Sequence, residues 1–384
     1  MNIQIVYRNY IPLYSGYCSF WLSKINGINF IIPKTNSFLR KSYLLYRVIN
    51  KLPVVNSIIS FAQKFIFREP EEENIDLYFY TGMLPQTNSN KPFVVDFEHI
   101  RALFNFGIIT EQKKEEVFKV LNDDSCKWIL PWSEAAKNTL MKCYPKDFNK
   151  LSSKVRVLYP ALPIYKNIYK NQIDHSIVKN NSHRKFLFIG KEFRRKGLLE
   201  TLDAFLILNS KHDGIEIHCV ATVPDNIKKQ YKHKNIYFYN SSFSQEELIK
   251  KFFLTCDVFI LPTHADTFGM VLLEALACGM PVITTNQFAA KEIIEDGLNG
   301  MLLSSDVLPL NDTLFPEILS SDLEYSNPEQ KLVNSIEKKV DDLCANWTKV
   351  DEMKLHSIQN FKVGGKFSID SRNEILRKLL TTNS

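Results

Sequence analysis

Short apolar runs recur along this chain, and each is closed by a turn-forming or polar residue instead of alternating with polar positions. Leu77-Tyr78-Phe79-Tyr80, Phe93-Val94-Val95 and Val258-Phe259-Ile260-Leu261 are examples, the last one stopped by Pro262. Runs of this kind suit strands buried on both faces of a parallel sheet. In the first half they predict strands at 3–7, 30–32, 77–80, 93–97, 128–131 and 155–158, with helical spacing at 111–121 and 134–143. A polar stretch rich in Asn, Lys and Tyr, 166–183, reads as a linker. The second half opens on the apolar run Lys185-Phe186-Leu187-Phe188-Ile189-Gly190. It continues with strands at 215–221, 236–239, 258–261 and 282–285, and helices at 198–208, 245–253, 270–278, 329–344 and 369–380. Ser244 followed by Glu247 is a capping-box start, and Gly279-Met280-Pro281 is a Gly-then-Pro stop. Residues 306–330, rich in Pro, Asp and Ser, read as a surface loop. Strands alternating with helices in both halves predict an α/β protein of two doubly wound domains.

The length of 384 residues allows two cores, and 45% hydrophobic with 23% charged residues is ordinary for a soluble globular chain. A net charge of +6 permits attraction to an anionic membrane surface. The cations are dispersed among acids and no nucleic-acid-binding motif appears, so no nucleic-acid partner is expected. No apolar run reaches the roughly 18 residues of a membrane span, and the N-terminus reads as a first strand, not a signal peptide. The seven cysteines, at 18, 126, 143, 219, 256, 278 and 344, form no CxxC pair and no zinc-type spacing. They predict a reducing, cytoplasmic setting and no metal site.

The densest chemistry lies in 256–303, CDVFILPTHADTFGMVLLEALACGMPVITTNQFAAKEIIEDGLNGMLL. It reads as strand, loop, helix, strand, with Asp266 on the loop and Glu274 inside the helix. Ligands of open α/β sheets sit at such strand ends. A helix beginning near Gly269 aims free N–H groups and a partial positive charge at what precedes it, which suits a diphosphate. Two acceptor-only carboxylates suit neighbouring hydroxyls. A nucleoside-diphosphate sugar has both features.

A second constellation, Gly190-Lys191-Glu192-Phe193-Arg194-Arg195-Lys196-Gly197, follows a strand and precedes a helix. Cations at such a loop suit a diphosphate, Arg as a planar fork and Lys as a point charge; a solvated basic turn is the alternative. Phe93-Val94-Val95-Asp96-Phe97-Glu98-His99 is a strand that ends in acids and a histidine. Residues 38–67 mix aromatic, aliphatic and basic residues around Pro53. They read either as helices packed on the first sheet or as an amphipathic surface making peripheral contact with a membrane.

The segment around Asp266 and Glu274 resembles the signature of retaining glycosyltransferases of family 4. The second half of that signature is present as Glu274, Ala275, Ala277, Gly279, Pro281 and Val282, with Glu292 and the 296–300 turn also similar. Two positions depart from it: Asp266 stands where the family has Glu, and Thr267 where it has Gly. The resemblance implies a GT-B fold of two Rossmann-like domains, acceptor-binding at 1–165 and donor-binding at 184–360, facing an interdomain cleft. It also implies that 361–384 returns to the first domain by way of the last helix. The activity implied is transfer of a hexose-type sugar, with retention, from a UDP- or GDP-linked donor to a glycan or lipid-linked saccharide. Polysaccharide or lipopolysaccharide biosynthesis is the setting, and no cofactor is needed beyond the donor substrate. A catalytically weak nucleotide-sugar-binding subunit or a GT-B sugar-nucleotide epimerase would share the fold.

By the same resemblance, Glu274 holds the ribose hydroxyls. Asp266, with the backbone amides of Phe268, Gly269 and Met270, holds the transferred sugar. Lys196 and Arg195 neutralise charge on the departing diphosphate, with Gly190, Lys191 and Arg194 beside them. His99 is a candidate for contact with sugar or acceptor; Gly16 is a single glycine where the family often has a Gly-Gly pair after the first strand, and a simple turn is the alternative reading.

Overall fold

A computed structural model describes residues 1–7, 25–31, 74–85, 91–105, 109–165, 167, 184–307 and 327–381. They divide into two compact units, Met1–Tyr159 with Arg372–Ser384, and Pro160–Ser371.

Among the described residues of the first unit, five strands form a parallel sheet: β1 (Asn2–Tyr7), β2 (Asn29–Ile31), β3 (Leu77–Thr81), β4 (Phe93–Phe97) and β5 (Cys126–Pro131). Their order is β2-β1-β3-β4-β5. Residues 93–97 are buried throughout, as an uninterrupted apolar run demands of a central strand. Helices α1 (Glu111–Asn122) and α2 (Glu134–Cys143) start where Thr110 and Ser133 accept backbone N–H bonds, Thr110 from Lys113 at 3.2 Å and Ser133 from Ala136 at 3.0 Å. The end of the chain also belongs to this unit. The Trp128 indole N–H donates to the Leu379 carbonyl at 2.6 Å, and Arg372 Nε donates to the Tyr159 carbonyl at 3.2 Å.

The strand expected at 155–158 does not form. Arg156 and Leu158 donate to the carbonyls of Ile129 and Pro131 at 3.0 and 2.9 Å, but only an isolated bridge, Ile129 to Val155, results. Pro131 has no N–H to return a bond, so the ladder cannot continue.

The second unit holds six parallel strands among its described residues: β6 (Arg184–Ile189), β7 (Ile215–Val220), β8 (Ile236–Tyr239), β9 (Val258–Leu261), β10 (Val282–Thr285) and β11 (Gly300–Leu303). The order β11-β10-β9-β6-β7-β8 shows that the chain winds outward from β6 in one direction, then returns beside it as β9 and winds the other way. The crevice beyond the carboxyl ends of β6 and β9 is therefore the topological switch point. Helices α3 (Leu198–Lys211), α4 (Gln245–Leu248), α5 (Met270–Ala277), α6 (Gln330–Ala345) and α7 (Thr348–Ser357) belong to this unit, whereas α8 (Ile369–Thr381) belongs from Arg372 onward to the first.

Phe186 on the central strand is fully buried and meets Phe205 and Trp347 edge-on, with ring centroids 5.1 and 6.0 Å apart. Such tilted pairs add to the energy of apolar burial. The helical stretch expected at 245–253 is present, but its second half, Ile249–Phe253, has π geometry. The adjacent Phe252 and Phe253 are both buried there. The strand Gly300–Leu303 and the helix Thr348–Ser357 carry patterns too short or too weakly amphipathic to be predicted from sequence. Gly16, all of 38–67 and most of the 166–183 linker lie outside the described residues.

Candidate functional site

The loop after β6 and the loop after β9 meet at the switch point. Gly197 caps α3 with φ +79°, and a Cβ added there would lie 2.1 Å from the Pro262 carbonyl oxygen. Both the left-handed backbone and the close approach require glycine. The contact is then stitched by hydrogen bonds. His264 N–H donates to the Arg195 carbonyl at 2.9 Å, the Thr263 hydroxyl reaches the same oxygen at 3.3 Å, and Arg195 Nη1 donates to the Ala265 carbonyl.

This stitching places Lys196 against Asp266. Lys196 Nζ donates to Asp266 Oδ2 at 2.6 Å, with the two side chains 14% and 19% exposed. The pair is shielded enough to be stronger than a surface ion pair, yet open to a ligand. Arg195 also binds Glu192 through Nε at 2.9 Å, so its guanidinium bridges the two loops. Arg194 lies over the Phe193 ring, 5.2 Å from its centroid, and its buried Nε has no hydrogen-bond partner among the described residues. Gly190 is in close contact with Lys196, the added Cβ falling 3.1 Å from the Lys196 Cβ, while Lys191 is exposed.

Gly269, at φ +84°, precedes α5 and provides no side-chain cap. The first amides of α5 thus start beside Asp266, whose Oδ2 lies 3.6 Å from where a Gly269 Cβ would be. Phe268 is buried. One turn into the helix, Glu274 accepts a hydrogen bond from Gln245 Nε2 at 2.9 Å. Its carboxyl is lodged among protein groups although the residue keeps some solvent access, and burial pushes its pKa up to about 7 against the opposing Gln245 bond.

Two features escape sequence reading. Gln245 is an unremarkable first residue of a capped helix until the fold puts it beside Glu274. Beneath the Asp266 loop, buried His264 meets Glu200 at 2.9 Å through Nε2 and Glu329 at 3.7 Å through Nδ1. These three residues are far apart in sequence, so no spacing rule could join them. Among the described residues no group of three or more His, Cys, Asp or Glu could hold a metal ion, and no helix is long and apolar enough to cross a membrane.

In the first unit, His99 follows β4 and is 1% exposed. Its Nδ1 accepts the Arg101 N–H at 3.1 Å, as the cap of a short 3₁₀ turn. Burial, reinforced by the Arg101 charge, pushes its pKa down to about 4. The ring is therefore neutral near pH 7, with its proton on Nε2. Asp96, on the same strand, is raised to about 7 by burial, opposed by Trp132 and the Arg372 charge.

Residues 170–307 match the family model "Glycosyl transferases group 1". They contain both loops of the switch point. Among curated relatives, a 41.2 kDa protein of the cps region of Klebsiella pneumoniae is 24% identical over 53% of this chain and 62% of its own length. The capsular polysaccharide biosynthesis glycosyltransferase CapM of Staphylococcus aureus is 26% identical over 35% of this chain and 38% of its own. The matched part thus spans less than two thirds of either relative. HepE of Anabaena, solved in complex with UDP and glucose, aligns over 100% of this chain and 99% of its own at 13% identity, with a TM-score of 0.61. The fold is GT-B.

Two outcomes test this geometry. Gly197→Ala should cost about 2 kcal/mol or more in chemical denaturation, because it adds backbone strain to a clash with Pro262. For Asp96, a folded pKa raised from 3.8 to about 7 means stability falls as pH rises through that window and stays reduced above it. Asp96→Asn should therefore gain more stability relative to the parent at pH 8 than at pH 4, measured by urea titration at both.

Proposed function

We propose that this protein is a retaining, metal-independent hexosyltransferase. It moves a hexose-type sugar from a UDP- or GDP-linked donor to a hydroxyl of a glycan or lipid-linked saccharide. The observation that carries this reading is the Lys196–Asp266 pair, held at the switch point beside the start of α5. Within the protein each charge satisfies the other. A donor diphosphate takes over Lys196 and frees Asp266 to accept hydroxyls of the transferred sugar.

Charge grows on the leaving diphosphate in the transition state, so a fixed cation there acts on the barrier itself. Lys196 has the main part, with Arg194 and Arg195 adding positive potential and the α5 amides adding a partial charge. Glu274, one helical turn further, accepts the ribose hydroxyl pair. The leaving phosphate oxygen takes the acceptor proton in a front-face reaction, so no separate base is required. His99, neutral near pH 7, serves as an Nε2–H donor to sugar or acceptor and not as a base.

Support comes from three directions: the match of 170–307 to group 1 glycosyltransferases, the UDP and glucose bound by HepE, and the capsule-related work of CapM. Together they favour a UDP-linked donor and a surface-polysaccharide setting.

Lys196→Ala should lower kcat for donor hydrolysis or transfer by roughly 10²-fold or more, measured by release of nucleoside diphosphate. A parent-like rate would remove Lys196 from the mechanism. Donor binding by the parent without turnover on any acceptor would indicate a binding subunit instead.

A further inference from the structure

Glu274 is the acid that the proposed reaction assigns to the ribose, and the side chain that organises it comes from another helix. Gln245 Nε2 donates to Glu274 Oε1 at 2.9 Å and lies 3.4 Å from the Tyr165 hydroxyl oxygen. A carboxamide bound to a carboxylate must present its NH₂ and not its oxygen, so chemistry settles the orientation of this amide. The backbone that carries Gln245 is held as well. Ser244 and Glu247 close a reciprocal capping box, with bonds of 2.9 Å from Ser244 N–H and 3.3 Å from Glu247 N–H. Tyr165 is 1% exposed, which gives the far side of the carboxamide a rigid wall.

We infer that Gln245 is a positioning residue for nucleoside recognition: it engages Oε1 of Glu274 and thereby turns the rest of that carboxylate toward the vicinal hydroxyls of a ribose. The inference rests on the reading of the switch point as a nucleotide-sugar site. Two ribose hydroxyls are donors, and a carboxylate takes both only while it is ionised.

The surroundings make that ionisation precarious. Glu274 is pushed up to about 7 by burial, and the Gln245 hydrogen bond is the influence that opposes it. Among the described residues, the titratable groups recorded against the pair are the buried Cys278 thiol that caps the same helix, itself raised by burial and by the Glu274 charge, and the Tyr165 phenol. Neither supplies a positive charge. Removing the Gln245 bond therefore raises the acid further, and binding that needs the anion should fail at a higher pH.

The test is calorimetric titration with UDP, GDP and 2′,3′-dideoxy-UDP between pH 6 and 8.5, for the parent, Gln245→Ala, Glu274→Gln and the double variant. Circular dichroism at each pH checks that every variant is folded. For the parent, affinity for UDP or GDP should fall as pH drops through about 7. In Gln245→Ala that fall should move to higher pH, with affinity near pH 7 about 10-fold weaker, as expected for one lost charge-assisted hydrogen bond. The dideoxy analogue carries the same phosphates but lacks the hydroxyls, so its affinity should be indifferent to residue 245. The double variant should bind UDP no more weakly than Glu274→Gln alone. An unmoved pH limb, or equal weakening of UDP and its dideoxy analogue, would overturn the role of Gln245 while leaving the nucleotide site intact. Failure of the parent to bind either nucleoside diphosphate would overturn the site reading, and this inference with it.

Discussion

The whole site depends on how closely two loops approach across the switch point. At position 197 there is no room for a Cβ, since the Pro262 carbonyl occupies that space. This contact determines the ion pair of the candidate site. It lets Arg195 bridge the loops through its side chain and its carbonyl, and it sets Lys196 opposite Asp266. Reversal of winding around β6 creates the crevice, but the glycine decides that its two walls touch.

The electrostatic arrangement is economical. A lysine and an aspartate at 2.6 Å, each partly shielded, would each be costly to leave alone in such surroundings. Pairing them holds a cation and an anion in place, which the proposed binding of an anionic, hydroxyl-bearing donor requires. An aspartate in this position reaches the lysine directly. The His264 cluster beneath ties the Asp266 loop to α3 through Glu200 and to the start of α6 through Glu329, so the loop is anchored from below as well as from the side.

Burial shapes the acids and the imidazole in opposite senses. Glu274 and Asp96 are pushed toward their neutral forms near pH 7, and His99 is held neutral down to about 4. In each case loss of hydration is the leading cause, with neighbouring groups adjusting the outcome. For Glu274 the adjusting group is a neutral amide, Gln245, which leaves the acid sensitive to small changes in its surroundings. For His99 the hydrogen bond from Arg101 N–H decides the tautomer, so a residue that seemed a general candidate in the sequence is limited to one donor atom.

Most strands and helices could be read from the chain itself, because apolar runs, caps and glycine stops are local signals. The run at 258–261, the capping box at Ser244 and the helix after Gly269 all act over a few residues. The residue types of the site were legible for the same reason: Lys196 beside Gly197, and Asp266 and Glu274 around a helix start, sit inside local motifs. The 155–158 strand failed as a prediction because strand formation needs a partner able to return bonds, and Pro131 cannot. What the tertiary structure alone decided was pairing at a distance: Lys196 with Asp266, Gln245 with Glu274, His264 with Glu200 and Glu329. Those contacts join residues separated by 29 to 70 positions along the chain, which periodicity cannot relate, and burial at the contact then sets which groups are charged.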